Sequence, residues 1–278
     1  MQTLESLQRL NRDIREGVGA LSKPEARFLV DYYYIAQEDR KRAYNQERSM
    51  EQSGEPHGVI TWLAEQSALI ERELKKVLEV WSESFAEGRW AKSITGIGPI
   101  ISSGLLAHVD VTRTKHCSSL WRFAGLDPTL PPPAKGVKRG YNASLKTLCY
   151  HIGECLIRNK NRSGGQYYGA LYDTEKVKII GINEAGAYAE RAENILKQKT
   201  YRRDTVAYKS YSQGKLPDAQ VHAMARRWVV KLFLSHYWEV CYLAQYGQPP
   251  AESPYVVDHL GHVARYPAPA IKVAKTTE

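Results

Sequence analysis

Apolar positions along this chain recur with the period of an α-helix, and no segment shows the sustained alternation of a half-buried strand. Near the start, Leu4, Leu7, Leu10 and Ile14 suggest a short polar helix stopping at Gly17 and Gly19. Ser22-Lys23-Pro24-Glu25 then has the form of a helix start, with Ser22 placed to cap and Glu25 three residues on to reciprocate. That helix is expected to run to about Gln52, where Ser53-Gly54-Glu55-Pro56 breaks it. From residue 59 to residue 87, Ile60, Leu63, Ser67, Ile70, Leu74, Val77 and Trp81 keep to one helical stripe. Two long helices joined by a tight turn predict a hairpin, either a coiled-coil arm that self-associates or ordinary bundle packing.

Further on, the pattern predicts a helix around 185–197 and one long helix over 217–246, opened by Pro217 and closed by Gly247 with Pro249 and Pro250 behind it. Its core stripe is Val221, Ala225, Trp228, Leu232, His236, Val240 and Leu243, which leaves Arg226, Arg227 and Lys231 facing out. The fold class is therefore mainly α. Four stretches follow: a helical hairpin over 1–88, a domain over 89–165, a helical extension over 166–246 and a mobile Pro- and Ala-rich tail over 247–278.

Composition narrows the class. With 278 residues, 43% of them hydrophobic, the chain can bury a proper core, which argues against disorder. There is no run of 18 apolar residues for a membrane span and no basic-then-apolar leader at Met1-Gln2-Thr3-Leu4-Glu5. Four cysteines do not make a disulfide scaffold, so the cytoplasm is the expected location, with association with the nucleoid expected only if the chain binds DNA. The net charge of +9 is unevenly spread. Residues 89–165 carry +9 and residues 197–231 carry +7, whereas 1–88, 166–196 and 232–278 carry −4, −2 and −1. Such concentration is the footprint of a phosphate-binding surface, because cations that neutralise phosphates release condensed counterions. The plainer alternative is a solvated basic face.

Within the first basic stretch, Ile94-Thr95-Gly96-Ile97-Gly98-Pro99-Ile100-Ile101-Ser102 has the form of a helix-hairpin-helix. Gly96 and Gly98 permit a tight turn, and Pro99 suits the first position of a helix whose free amides can receive a phosphate. Ile100 stands where such motifs often place a lysine, and Ser102 is small enough to let two helices touch. A grip of this kind holds backbone and reads no bases.

Gly96-Ile97-Gly98-Pro99, then Leu120-Trp121-Arg122-Phe123-Ala124-Gly125-Leu126-Asp127-Pro128, then Lys138-Arg139-Gly140-Tyr141-Asn142 with Leu145-Lys146 and Leu148, occur in the order of a known module. Over about residues 60–160 the sequence resembles the C-terminal transposase domain of the DEDD insertion-sequence transposases of the IS-one-ten type. The resemblance implies DNA recombination directed by an RNA guide, with a RuvC-like domain ahead of a helical middle. The sixteen acidic residues of 1–88 fall on what read as helix faces, so the strand-borne carboxylates of a RuvC-like metal site are not expected here. The family's nucleophilic serine lies between the Gly-Leu-Asp-Pro and Lys-Arg-Gly blocks, where this chain reads Thr129-Leu130-Pro131-Pro132-Pro133-Ala134-Lys135-Gly136. Thr129 has no recognisable base, and Ser144 lies beyond the second block.

The expectation is thus a DNA-binding protein without strand cleavage, holding backbone through Gly96, Gly98, Pro99 and the amide of Ile100, with Lys135, Lys138, Arg139 and Lys146 nearby. Tyr141 is placed to stack on an unpaired base, while Arg202, Arg203, Arg226 and Arg227 offer a second basic surface. The alternatives are an active transposase or recombinase and a structured-RNA-binding protein. Neither a cofactor nor a metal is expected: Cys149, His151 and Cys155 fall on one helix without the pairing of a tetrahedral zinc site. Nucleic acid and further copies of the chain are the expected partners, and a membrane is not.

Overall fold

The computed structural model describes residues 17–55, 57–114, 116–250 and 266–270, and every regular element among them is helical. The mainly α expectation therefore holds. The helix expected over Leu4 to Ile14 lies outside the described residues. One 3-10 turn spans Gly17–Ala20. Helix α1 (Lys23–Gln52) starts as the sequence indicates: Ser22 accepts from the Glu25 amide, and the Glu25 carboxylate accepts from the Ser22 amide at 2.8 Å. Gly54, at φ +73°, reverses the chain into α2 (Gly58–Glu83). The two helices lie along each other. Between them Tyr33 donates to Glu71 at 2.9 Å, Gln37 donates to the same oxygen at 3.2 Å, and Arg40 pairs with its other oxygen. The expected stripe of α2 largely holds: Ser67, Val77 and Trp81 are buried and Ile60, Ile70 and Leu74 half-buried, whereas Leu63 is exposed and Ala64 and Leu78 join the buried side.

Helices α3 (Ala86–Ser93) and α4 (Pro99–His108) follow, and α4 is the hub on which the hairpin is mounted. Every residue from Ile100 to His108 is buried. Two hydroxyls make the close crossings possible. Ser102 donates to the carbonyl of Gly88 at 2.9 Å, as a small residue at that position leads one to expect, and Ser103 donates to that of Leu78 at 2.8 Å.

The larger core gathers α5 (Cys117–Phe123), α6 (Ala143–Arg158) and α7 (Gln166–Glu184) around α10 (Asp218–Tyr246). The ends of α10 agree with the sequence, with Pro217 ahead of it and Gly247 at φ +70° behind it. Its interior differs: from Leu232 to Trp238 every residue is buried, because the helix runs through the body instead of over it. Trp228 is half-buried and Leu243 exposed, so the expected single stripe is replaced by burial all round. Helix α7 was hidden from the pattern, and the helix expected around 185–197 is α8 (Ala189–Gln198), set off by Gly186 at φ +81°. The short α9 (Val206–Ser212) packs on α8.

Part of the segment read as a tail is docked. His236 meets the Tyr266 carbonyl at 2.7 Å, Tyr167 donates to that of Pro267, and the indole of Trp90 donates to that of Pro269 at 3.1 Å. Among the described residues, no helix is long and apolar enough to cross a membrane.

Candidate nucleic-acid interface

The glycine turn between α3 and α4 has two faces. Gly96 takes φ +99°, and a Cβ there would lie 2.8 Å from the Cys155 carbonyl oxygen and 2.9 Å from the Asn159 amide nitrogen. That glycine lets the turn close onto the C-terminal end of α6. Gly98 has open space where its Cβ would be, and it precedes Pro99 at the first position of α4. The Ile100 side chain does not reach solvent: it is buried against Val30, Tyr33 and Leu78. Only main chain at the start of α4 is left for a phosphate.

The two sequence blocks that carry the family resemblance touch each other. Gly125, at φ +68°, ends the turn after α5, and a Cβ on it would fall 2.8 Å from Cδ2 of Tyr141. Its missing side chain gives the Tyr141 ring a seat. The Asn142 amide donates to the Phe123 carbonyl at 2.9 Å, and the Asn142 side chain caps α6 by accepting from the Leu145 amide at 2.9 Å. The same side chain meets Nδ1 of His108 at 3.3 Å; burial first, then Arg27, holds that imidazole's pKa down to about 4. The Lys146 ammonium sits 4.3 Å from the centre of the Tyr141 ring. Tyr141, expected to stack on an unpaired base, is thus half-buried and already partnered on its ring by Lys146.

Around this junction opens a groove of about 850 Å³. One wall is Gly125, Leu126, Asp127, Pro128 and the Leu130–Pro133 run; the opposite wall comes from α10 with Arg226, Arg227, Trp228 and Lys231. Lys146, Cys149 and Tyr150 of α6, Lys178 of α7 and Arg191 of α8 complete it, with Glu175 and Asp127 as the lining carboxylates. Basic side chains therefore outnumber carboxylates six to two, four of them from the two charged segments and two, Lys178 and Arg191, from the stretch between.

Individual cations are held differently. Arg226 pairs with Glu154, keeps its guanidinium 4.3 Å from the centre of the Tyr150 ring and lies over Gly153, where a Cβ would meet its Cγ at 2.6 Å. It is a clamped residue, contrary to the outward orientation expected. Arg227 is exposed at the groove, and desolvation first, then the guanidinium groups of Arg191 and Arg226, weaken its hold on the proton. Lys231 lies 4.5 Å from the centre of the Trp121 ring. Desolvation pulls its pKa down, while Asp127 pulls the other way. A site that crowds like charges in partly dry surroundings gains by taking up an anion. Tyr150 keeps about half its surface exposed (51%), the most of any aromatic lining the groove.

Of the residues picked from sequence, the groove brings together Tyr141, Lys146, Arg226 and Arg227. Lys135, Lys138 and Arg139 stand exposed on the loop beyond the proline run. The glycine turn abuts Cys155, about nine residues along α6 from Lys146 and so roughly 13 Å away along the helix axis. Arg202 and Arg203 lie apart from the groove lining, and Arg202 is paired with Asp204 at 2.8 Å. Sequence reasoning missed Arg191 and Lys178 and gave Tyr150 no role of its own among the aromatics of the basic segment, while it set Trp228 in the core stripe of α10 and Lys231 facing out. No spacing signal joins these residues; only the packing of α10 against α6 and α7 does.

Between the two blocks, the Thr129 hydroxyl donates to Asp127 at 2.8 Å and the Thr129 amide to the same oxygen at 2.9 Å. With Arg122 at 3.0 Å, these bonds keep the Asp127 carboxyl below its ordinary pKa. Among the described residues, no three His, Cys, Asp or Glu side chains are grouped to hold a metal ion. Cys149 lies buried, with its thiol pushed up to about 12.

Residues 89–169 match the Transposase IS116/IS110/IS902 family. The match takes in the glycine turn, both blocks and α6, and it ends just inside α7, before the wall that α10 supplies. No curated protein and no solved structure matches the chain. Residues 89–169 are accordingly related to the transposases of these insertion sequences.

Proposed function

We propose that this protein binds nucleic acid, DNA first, by its phosphate backbone, and leaves the strand intact. The observation that carries this reading is the meeting of the two basic segments: Lys146 from the first and Arg227 and Lys231 from the second line one groove. Cations so distant in sequence share a surface only through the fold, and together they lack enough local carboxylate to balance them. The start of α4, reached over Gly98, offers a second backbone contact, and we read α3, the turn and α4 as a helix-hairpin-helix. Lys135, Lys138 and Arg139 extend the grip from the exposed loop.

The reading without cleavage is supported by the geometry of Thr129 and Asp127. A carboxylate that accepts from an amide, a hydroxyl and a guanidinium is a weak base, so the Thr129 hydroxyl lacks the activation that a nucleophile needs. Incubation with supercoiled plasmid and divalent metal is expected to retard the plasmid and leave it closed. Metal-dependent nicking that disappears in Thr129→Val or Asp127→Asn would overturn this half of the proposal. Failure to retard DNA or RNA at low ionic strength would overturn all of it.

A further inference from the structure

We infer that the groove between the proline-run wall and α10 takes unpaired nucleotides, with a base stacked on Tyr150, and leaves duplex to the exposed loop outside. The inference rests on the backbone-binding reading above and adds the class of strand.

Size is the first argument. At about 850 Å³ the groove falls in the range that encloses a single drug-sized ligand. A duplex, whose major groove alone is about 12 Å across, is too wide for such a space to enclose. A few unstacked nucleotides can. The second argument is the lining. Single-strand sites combine a cationic track for the backbone with aromatic faces for the bases, since every base has a face to stack. Arg191, Arg227, Lys178 and Lys231 supply the track. Tyr150 supplies the face: it is half-exposed, and Arg226, anchored by Glu154, braces its ring from 4.3 Å. Trp228, half-buried and held edge-to-face by Tyr266, adds a second apolar surface in the same lining. By contrast, Lys135, Lys138 and Arg139 stand on an exposed loop with no aromatic side chain between them, which suits contact with the outside of a helix.

The test uses the full chain with short fluorescent oligothymidylate, its ribose counterpart oligouridylate, and a duplex of matching length, read by anisotropy at one salt concentration. Tyr150→Ala is compared with Tyr150→Phe, which keeps the ring and the Arg226 contact. Stacking on one base predicts that Tyr150→Ala weakens single-strand binding about tenfold or more, with duplex affinity within twofold of the parent. Tyr150→Phe should restore single-strand binding. The two oligonucleotides divide the strand's chemistry: equal losses assign the site to bases in general, and a loss confined to one of them assigns it to DNA or RNA alone. Single-strand binding indifferent to Tyr150→Ala, or duplex displacing the oligonucleotide from the groove, would sink the inference and leave backbone binding intact. Binding of nothing at all would remove both.

Discussion

At Gly125 the backbone takes φ +68°, and an added Cβ would crowd Tyr141 at 2.8 Å and Lys146 at 3.0 Å. Both the left-handed conformation and the seat for the ring resist a side chain. Gly125→Ala should therefore cost about 1–3 kcal/mol of stability, measured by urea denaturation. A change below about 0.5 kcal/mol would mean that the loop yields freely and that the junction is not fixed there. Gly98→Ala is the control, because nothing lies within 4 Å of its Cβ position. This contrast shows what residues alone disclose. Glycine in a sequence signals that backbone or a ring must come close, without naming the neighbour. Gly96, read as a phosphate hinge, faces the Cys155 carbonyl, whereas Gly98 keeps the opening. The same limit applies to Tyr141 and Tyr150. Each ring carries a cation 4.3 Å from its centre, Lys146 on Tyr141 and Arg226 on Tyr150, so the difference between them is that Tyr141 is also seated on Gly125 while Tyr150 stays half-exposed, and neither fact is local to the tyrosines.

Among the helices, α10 was legible at its ends and opaque in its middle. Pro217 and Gly247 mark the ends by backbone chemistry that any solvent-facing neighbour would leave unchanged. The middle is buried on all sides, polar Ser235 and His236 included, which erases the periodicity from which a face is read. Helix α7 escaped for a related reason: its buried set, Tyr168, Gly169, Tyr172, Ile179 and Asn183, is mostly aromatic and polar. Inside α10, His236 takes the Tyr168 hydroxyl at 2.8 Å on Nδ1 and the Tyr266 carbonyl at 2.7 Å on Nε2, which assigns the Nε2–H neutral ring. Burial, opposed by the Tyr266 hydrogen bond, depresses its pKa from 6.5 to about 4. Between those values the unfolded chain binds a proton that the folded one refuses, so stability rises with pH across that window. It is fully present above about 6.5, is lost as pH falls toward about 4, and levels off below. The loss is roughly 3 kcal/mol at most. Replacing His236 with Gln should make the unfolding free energy shallower with pH over this window by up to one proton. His108, depressed to about 4 in the same way, keeps its own share of the slope. Superimposable pH profiles for the parent and the Gln variant would exclude His236 as a titrating element.

Over the whole molecule, the segregation of charge was plain in the sequence, and its placement was not. Positive excess sits in 89–165 and 197–231, while 1–88, which includes the hairpin, carries −4. Folding divides the second basic stretch: Arg226, Arg227 and Lys231 join Lys146 at the groove, and Arg202 stays outside it, paired with Asp204. Linear distance could not reveal that division, since Arg202 is nearer to Lys146 in the chain than Arg227 is. The division predicts unequal effects on the salt dependence of binding. Each phosphate neutralised adds about 0.9 to the slope of log affinity against log salt for duplex and about 0.7 for a single strand. Lys138→Ala with Arg139→Ala, both exposed and on the loop, should flatten the duplex slope by roughly 1.8 at most. Arg202→Ala should change it much less, because Asp204 already offsets that charge. Lys231→Arg adds a contrast in pH: desolvation has lowered the lysine's pKa, so binding by the parent should fail earlier on the alkaline side, whereas the arginine variant holds its charge. Equal slope changes at Arg202 and at the loop would mean that the protein meets its polyanion over a diffuse surface, with no part of the fold set aside for it.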